Sequence, residues 1–229
     1  MKKGDRVTRE RVVSVAARLF ASRGFKKVTV REICRTAGVN VAAVNYHFGN
    51  KLGLYRGILE KAVEAMRETN EAARLAGEGR PPDQKLRAFV RVYVHRTVAS
   101  RQHSWIQSLM SREIADRTAA IDLVVERVLR PRAAYLAGIV AEILHCASDD
   151  ERVVRAVTCV QSQCLAFVPN PVSSRLHPDL GGTPDAVDAL AEHITAFSLA
   201  GIRALRTGRA AARRPRARRR RTQGRVAGR

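Results

Sequence analysis

Residues 29 to 51 read Thr-Val-Arg-Glu-Ile-Cys-Arg-Thr-Ala-Gly-Val-Asn-Val-Ala-Ala-Val-Asn-Tyr-His-Phe-Gly-Asn-Lys, and they leave the backbone few choices. Thr29 and Glu32 are spaced as a capping box: the Thr hydroxyl accepts from the Glu32 N–H, and the Glu carboxylate reaches back to the Thr29 N–H. That predicts a helix of about two turns ending near Ala37. Gly38 stands where the chain must turn sharply, because glycine takes positive φ without steric cost. Asn40 is a good N-cap for a second helix from Val41 to about Phe48. Ile33, Ala37, Val39 and Val44 are apolar at spacings that let the two helices bury a shared seam. Two short helices meeting at a glycine is the layout of a helix-turn-helix.

The second helix has two faces. Val44 and Phe48, one turn apart, point inward. Val41, Ala42, Ala43, Asn45 and Tyr46 are left to face outward. Small side chains near a helix start allow close approach to base edges in a DNA major groove, and Val and Ala methyls can touch thymine methyls. Asn45 can hydrogen-bond a base or a phosphate and is grouped with the base readers. Tyr46, His47 and Lys51 suit phosphate contacts. Lys51 also lies near the start of the next helix, where backbone N–H groups favour anions. A short helical hairpin in any helical protein has the same outline. Here the capping box, turn glycine, N-cap and basic flank occur in order, which favours the DNA-binding reading.

Val39 through Lys51, with Tyr46-His47-Phe48 and Asn50-Lys51, resembles the recognition helix of the TetR family of bacterial transcription regulators. The helix before it, Arg11 to Phe25, and the hydrophobic–Thr pair Val28-Thr29 are also similar to that family. The resemblance implies base contacts from Arg31, Val41, Ala42 and Ala43, and phosphate contacts from Thr29, Tyr46, His47 and Lys51. Asn45 departs from the aromatic often found at its place.

Charge sits at the two ends. Residues 1–51 carry 12 Lys/Arg against 3 Asp/Glu, residues 206–229 carry 11 Arg and no acid, and residues 52–205 are near neutral at +1, within a total of +21. Basic ends around a neutral body fit a small DNA-binding head joined to a larger domain with another task. The chain's 229 residues, 45% hydrophobic, can bury a sizeable core. Cys34, Cys146, Cys159 and Cys164 show no C-x-x-C spacing and read as buried free thiols in a reducing cytosol. Met-Lys-Lys-Gly-Asp-Arg at the start has no apolar core of a signal peptide. No apolar run reaches the ~18 residues of a membrane span. A cytoplasmic protein is expected, without membrane partners.

The rest of the chain is periodic as helices, so the expected class is all-α, with about nine helices. A first helix runs from about Thr8 to Arg23, with Val12, Ala16, Leu19 and Phe20 inward. A long helix from Asn50 to about Ala76 joins head to body, with Leu52, Tyr55, Leu59, Ala62 and Met66 on one face. Gly77 to Pro82 breaks the chain. Further helices are expected over Asp83–Ser100, with Leu86, Phe89, Val90, Tyr93 and Val94 inward, and over His103–Ile114. Another covers Ala119–Leu144, kinked or broken at Pro131. Asp149 or Asp150 caps a helix to about Val168. A loop over Pro169–Thr183 follows, then a last helix capped by Thr183 and led by Pro184, to about Arg206. The expected units are a head over 1–51, a body over 52–206, and a disordered Arg-rich tail over 207–229.

Val153, Val157, Val160, Cys164 and Phe167 repeat at helical spacing, as do Val187, Leu190, Ile194 and Phe197. Such seams read by default as intrachain core. Val154, Leu165, Val168, Leu199, Ile202 and Leu205 extend the apolar surface round the sides, which predicts more cover than one neighbour gives. A two-fold four-helix interface would supply it. The expected dimer contacts are therefore Val153, Val157, Val160, Cys164, Phe167, Leu190, Ile194 and Phe197. In the TetR family the last two long helices pair in this way.

Trp105 to Glu113, Arg130-Pro131, Gln163 to Phe167 and His193 to Ile202 are similar to the CecR-type C-terminal domain of one TetR subgroup. The resemblance implies a pocket whose small-molecule occupant changes the spacing of the heads. Met66, Phe89, Tyr93, Trp105, Leu109, Met110 and Tyr135 are candidates to line it. Arg112, Glu113 and Gln163 are candidates to orient a ligand. Each can equally be core or a structural ion pair.

The leading expectation is a homodimeric, ligand-responsive regulator binding double-stranded DNA at a near-palindrome, with repression implied by the family. An enzyme is the rival from another class, but no metal-spaced histidines, nucleophile elbow or phosphate loop occur, and no cofactor is implied. A non-specific DNA-packaging protein driven by the tail is the third reading.

Overall fold

A computed structural model describes residues 3–99, 104–115, 120–168, 173–176 and 183–212. Every regular element among them is helical. The head comprises α1 (Lys3–Arg23), α2 (Val30–Ala37) and α3 (Val41–Phe48), and α4 (Lys51–Gly77) leads out of it. The body follows with α5 (Pro82–Val94), α6 (Ser104–Ala115), α7 (Ala120–Val124), α8 (Arg130–Leu144), α9 (Glu151–Ala166), α10 (Ser173–Leu176) and α11 (Pro184–Ala212). With α7 and α8 taken as one rod, and the single turn α10 set aside, nine helices remain among the described residues.

Several boundaries differ from the sequence expectation for local reasons. Helix α1 begins before Thr8, whose hydroxyl donates to the Gly4 carbonyl at 3.0 Å within the helix instead of starting it. Helix α5 stops at Val94, and His95–Ala99 forms a wider π-helical turn. Pro131 neither breaks nor ends its helix. The π-helical turn Val125–Leu129 precedes it, and the Arg130 N–H donates five residues back to Val125. Proline lacks an N–H and its ring crowds the preceding turn, and one widened turn accommodates both. Asp150 caps α9, accepting from Arg152 N–H at 2.9 Å. Thr183 accepts from Ala186 N–H at 3.2 Å with Pro184 at the first position of α11. That helix runs six residues past its expected end at Arg206, to Ala212. Most of the 169–183 loop and the Arg-rich stretch from 213 onward lie outside the described residues.

Two apolar cores form. The first joins Val12, Ala16, Phe20, Ile33, Ala37 and Val44 of the head to Leu54 and Ile58 of α4. It continues into Ile106, Leu109 and Met110 of α6 and to Val124 and Val128, so the core does not end at residue 51. Leu52, expected on the inner face of α4, is 46% exposed. Leu54, Tyr55, Ile58 and Leu59 fill that face instead. The second core joins Leu86, Phe89, Val90 and Tyr93 of α5 to α8, α9 and α11. Burying each such side chain contributes about 1.5–3 kcal/mol.

This second core corrects the expected dimer contacts. Val153, Val157, Val160, Cys164, Leu190 and Ile194 are between 0% and 7% exposed within one chain. Their surface is already spent on α5 and α8, so none is left for a second copy. Phe167 is half-buried against the same core. Phe197 alone among the expected residues is open, at 65%. Val154, Leu165 and Leu205 are also exposed, whereas Leu199 and Ile202 are buried.

Candidate functional site

The head holds α3 rigidly with its outer face open. Thr29 caps α2 by accepting from the Glu32 N–H at 3.2 Å. The Glu32 carboxylate pairs with Arg23 of α1, in place of the expected return to Thr29. Gly38 sits in the left-handed region at φ 62° and ψ 43° and closes α2 on Cys34 and Arg35 carbonyls. Asn40 caps α3, its side chain accepting from Ala42 N–H at 3.0 Å. These caps fix the angle at which α3 leaves the turn, and Val44, fully buried, pins it to the core.

On the other side Arg31, Val41, Ala42, Asn45 and Tyr46 are exposed and Ala43 is half-buried. Tyr46 is 78% exposed, a high value for an aromatic ring. The His47 ring lies 4.9 Å from that of Tyr46, edge to face, at the end of α3. Thr29 keeps its hydroxyl proton free to donate, since its oxygen is the acceptor in the cap. Lys51 is half-buried, its ammonium 4.4 Å from the centre of the Phe25 ring, and burial lowers its pKa. The base-reading and phosphate-holding candidates thus fall on α2, α3 and the cap of α2, with Lys51 at the start of α4.

Two body residues expected at a ligand pocket instead tie the head to the body. Arg112 of α6 donates through Nε to the Ala21 carbonyl at 2.7 Å, and also to Ser22, at the end of α1. Those carbonyls are ones a helix end leaves unmatched, and a cation there also suits the helix dipole. Glu113, 2% exposed, accepts from the Tyr55 hydroxyl of α4. Burial, with that bond, raises the Tyr55 pKa. Tyr55 in turn packs edge to face on Phe20 at 5.1 Å and against Phe25 at 4.8 Å. Leu109 and Met110 are buried, and Met66 and Trp105 half-buried, in this same head–body core. None of these six lines the large cavity. Gln163 donates to the Cys159 carbonyl at 3.3 Å and the Ser198 hydroxyl at 3.4 Å, bridging α9 and α11.

The large cavity lies between α4, α5 and α8, with a volume of about 620 Å³. Of the expected residues, Phe89 and Tyr135 line it, and the Tyr93 ring stacks on Phe89 at 5.7 Å. The polar group that sequence reasoning missed is Arg132. It is 5% exposed, donating through Nε to Asn70 Oδ1 at 2.8 Å and through Nη1 to the Tyr93 hydroxyl at 2.9 Å. Its guanidinium also stands 4.7 Å over the Tyr93 ring. Asn70 is held by donating to the Val128 carbonyl, at 3.0 Å, in the widened turn before Pro131. A signal was present: Arg132 shares a helical face with Leu136 and Ile139, which marks it as inward-facing. Gly77 packs close to Tyr135, where an added Cβ would stand 2.7 Å from the Tyr135 hydroxyl.

Among the described residues no cluster of metal-ligating side chains occurs. None of the described helices is long and apolar enough to cross a membrane. The four cysteines are free, and burial pushes the Cys164 thiol up to about 12, far from a reactive thiolate.

Comparison with known proteins agrees with this architecture. Residues 12–67 match the family model of bacterial regulatory proteins of the tetR family. Residues 82–202, more than half the chain, match that of the C-terminal domain of the HTH-type transcriptional dual regulator CecR. The chain is 28% identical over 177 residues to the dual regulator CecR of Shigella flexneri, covering 72% of this chain and 77% of that one. It is 28% identical over 160 residues to the transcriptional regulator BetI of Rhizobium meliloti, covering 67% and 74%. Its fold is similar to the TetR-family regulator PfmR of Thermus thermophilus, with a TM-score of 0.63, 19% identity, and coverage of 83% and 97%. It is also similar to the ketosteroid transcriptional regulator KstR2 of Mycobacterium tuberculosis, with a TM-score of 0.62, 16% identity, and coverage of 84% and 93%. A capped recognition helix on a basic head, followed by an all-helical body with the CecR-type domain, makes this chain a member of the TetR family of DNA-binding transcriptional regulators.

Proposed function

We propose that the protein is a ligand-responsive repressor that binds a near-palindromic operator as a homodimer. The observation that carries this reading is the open face of α3, whose small and polar side chains stand beside a fully buried Val44. Arg31, Val41, Ala42, Ala43 and Asn45 read base edges, and Thr29, Tyr46, His47 and Lys51 hold phosphates. A bound dimer occludes the DNA it covers, so repression is the proposed sign.

Dimerisation is proposed through the outer faces of α9 and α11. Val154, Leu165, Phe197 and Leu205 are 40–65% exposed there. On α11 the exposed Ala196, Ala200, Gly201 and Ala204 lie beside Phe197, and such small side chains let two helices approach closely. A second copy bringing the same strip would cover it by two-fold symmetry. Two recognition helices then reach successive major grooves, about 34–36 Å apart.

Ligand response runs through α4. Its start carries Lys51 and Tyr55, and its far half lines the cavity. A ligand that favours one tilt of α4 changes the spacing of the heads, and it can shift DNA affinity only by its preference for one state. The Arg-rich tail adds affinity for any DNA, and the protein works in the cytoplasm. Protection of one discrete site in a nuclease footprint supports this reading. Uniform, salt-labile coating of all DNA would replace it with a packaging role.

A further inference from the structure

We propose that the cavity between α4, α5 and α8 takes an amphipathic organic anion, with its acidic group on Arg132. The proposal rests on the effector reading above only in naming this anion as the effector. Arg132 is 95% removed from solvent, yet both of its hydrogen-bond partners, Asn70 and Tyr93, are neutral. Nη2 has no acceptor among the described residues and belongs to a side chain that lines the cavity. A buried guanidinium without a carboxylate is costly and calls for an anion.

The other arginines at the cavity differ. Arg67 pairs with Glu64 at 3.0 Å, and Arg74 with Glu71 at 2.8 Å. Both pairs are well exposed and gain little from binding a ligand. Arg127 is exposed on the rim. Only Arg132 combines burial with unmet charge. Asn70 and Tyr93 fix its plane, so a carboxylate or another acidic group meets a preset donor rather than a mobile one. Beside it stand Phe89, Leu75, Pro131 and the Tyr135 ring, an apolar wall. About 620 Å³ is within the range of small-molecule sites. Glu68 also lines the cavity, exposed, and disfavours a ligand carrying several negative charges.

The test uses the full-length protein and two probe pairs in a fluorescence titration. The naphthalene sulfonate dye ANS reports occupancy, and decanoate and decyl phosphate compete with it against neutral decanol. Both anions should displace the dye at concentrations roughly tenfold or more below decanol, and whichever is better identifies the acidic group. Arg132→Met should weaken the anions by roughly 10- to 100-fold and leave decanol unchanged. Ala72→Trp, which fills the cavity from α4, should block all three ligands. Equal competition by decanol, or full anion affinity in either variant, overturns the proposal. So does equal destabilisation of the free protein by Arg132→Met and Glu68→Gln, which would make the two an internal ion pair. DNA release is read separately: charge-dependent binding without release leaves the anion site standing and overturns the effector reading.

Discussion

The head and the cavity of the body solve opposite problems. In the head no buried side-chain nitrogen or oxygen of the described residues lacks a partner, and the side chains proposed to meet DNA are those left outside: Arg31, Val41, Asn45 and Tyr46 face solvent while Val44 and Ile33 are fully buried. In the body the group proposed to meet a ligand is inside, and Arg132 is held by two neutral partners, Asn70 and Tyr93. A surface that must fit a rigid polyanion is made by fixing a helix and exposing one face. A site that must recognise a small molecule is made by leaving a buried group incomplete. The two are joined by α4, which carries Tyr55 near its start and lines the cavity with its far half, while Arg112 and Glu113 bind α6 to the end of α1 and to that Tyr55.

The contrast can be broken first at its seam. Phe20 is fully buried where α1, α4 and the Phe25 loop meet. Phe20→Ala should cost about 3–5 kcal/mol, and the whole chain should lose stability together. Calorimetry showing a head that melts alone, with the body unchanged, would separate the two regions. The next largest effects lie on the DNA. Arg31→Ala and Asn45→Ala should each cost about 1–3 kcal/mol at one base position and relax choice there. Lys51→Ala should weaken all sequences alike. Binding assays on single-base operator variants distinguish these, and the reverse pattern would exchange the assigned roles.

Smaller changes sharpen the claim that the head is pre-set. Gly38→Ala places a Cβ at φ 62° and should cost about 1–2 kcal/mol by denaturant unfolding. Asn40→Ala removes the α3 cap and should cost about 1 kcal/mol. An unchanged midpoint in both would mean that tertiary packing alone sets the helix angle. Removing residues 213–229 should leave stability and operator choice intact. It should flatten the salt dependence by about 0.9 log unit per phosphate lost. A changed preferred sequence would show that the tail reads DNA.

The sequence was legible where function is local. Thr29, Gly38 and Asn40 act within a turn of themselves, so residue type and spacing placed them correctly. The body was harder. Arg132 meets Asn70 and Tyr93, 62 and 39 residues away along the chain, and no periodicity links them. The expected pocket gathered aromatic and polar residues that packing divides between a head–body seam and a cavity. The expected dimer seam failed for a related reason. An apolar repeat shows that a face is covered, and Val153, Val160 and Ile194 are covered by their own chain. The better clue was the second apolar face, where Val154, Leu165 and Leu205 stand open beside Phe197. Phe197→Asp on that face should yield monomers in sedimentation without unfolding the chain.

Paired recognition of DNA is read by selecting bound sequences from a random pool with the wild type and with Asn45→Ala. A near-palindrome should emerge, with half-site centres one or a whole number of turns apart, about 10 base pairs per turn. Asn45→Ala should lose the same base preference in both halves at once. A lone asymmetric site, or a pool with no enriched sequence, would contradict it.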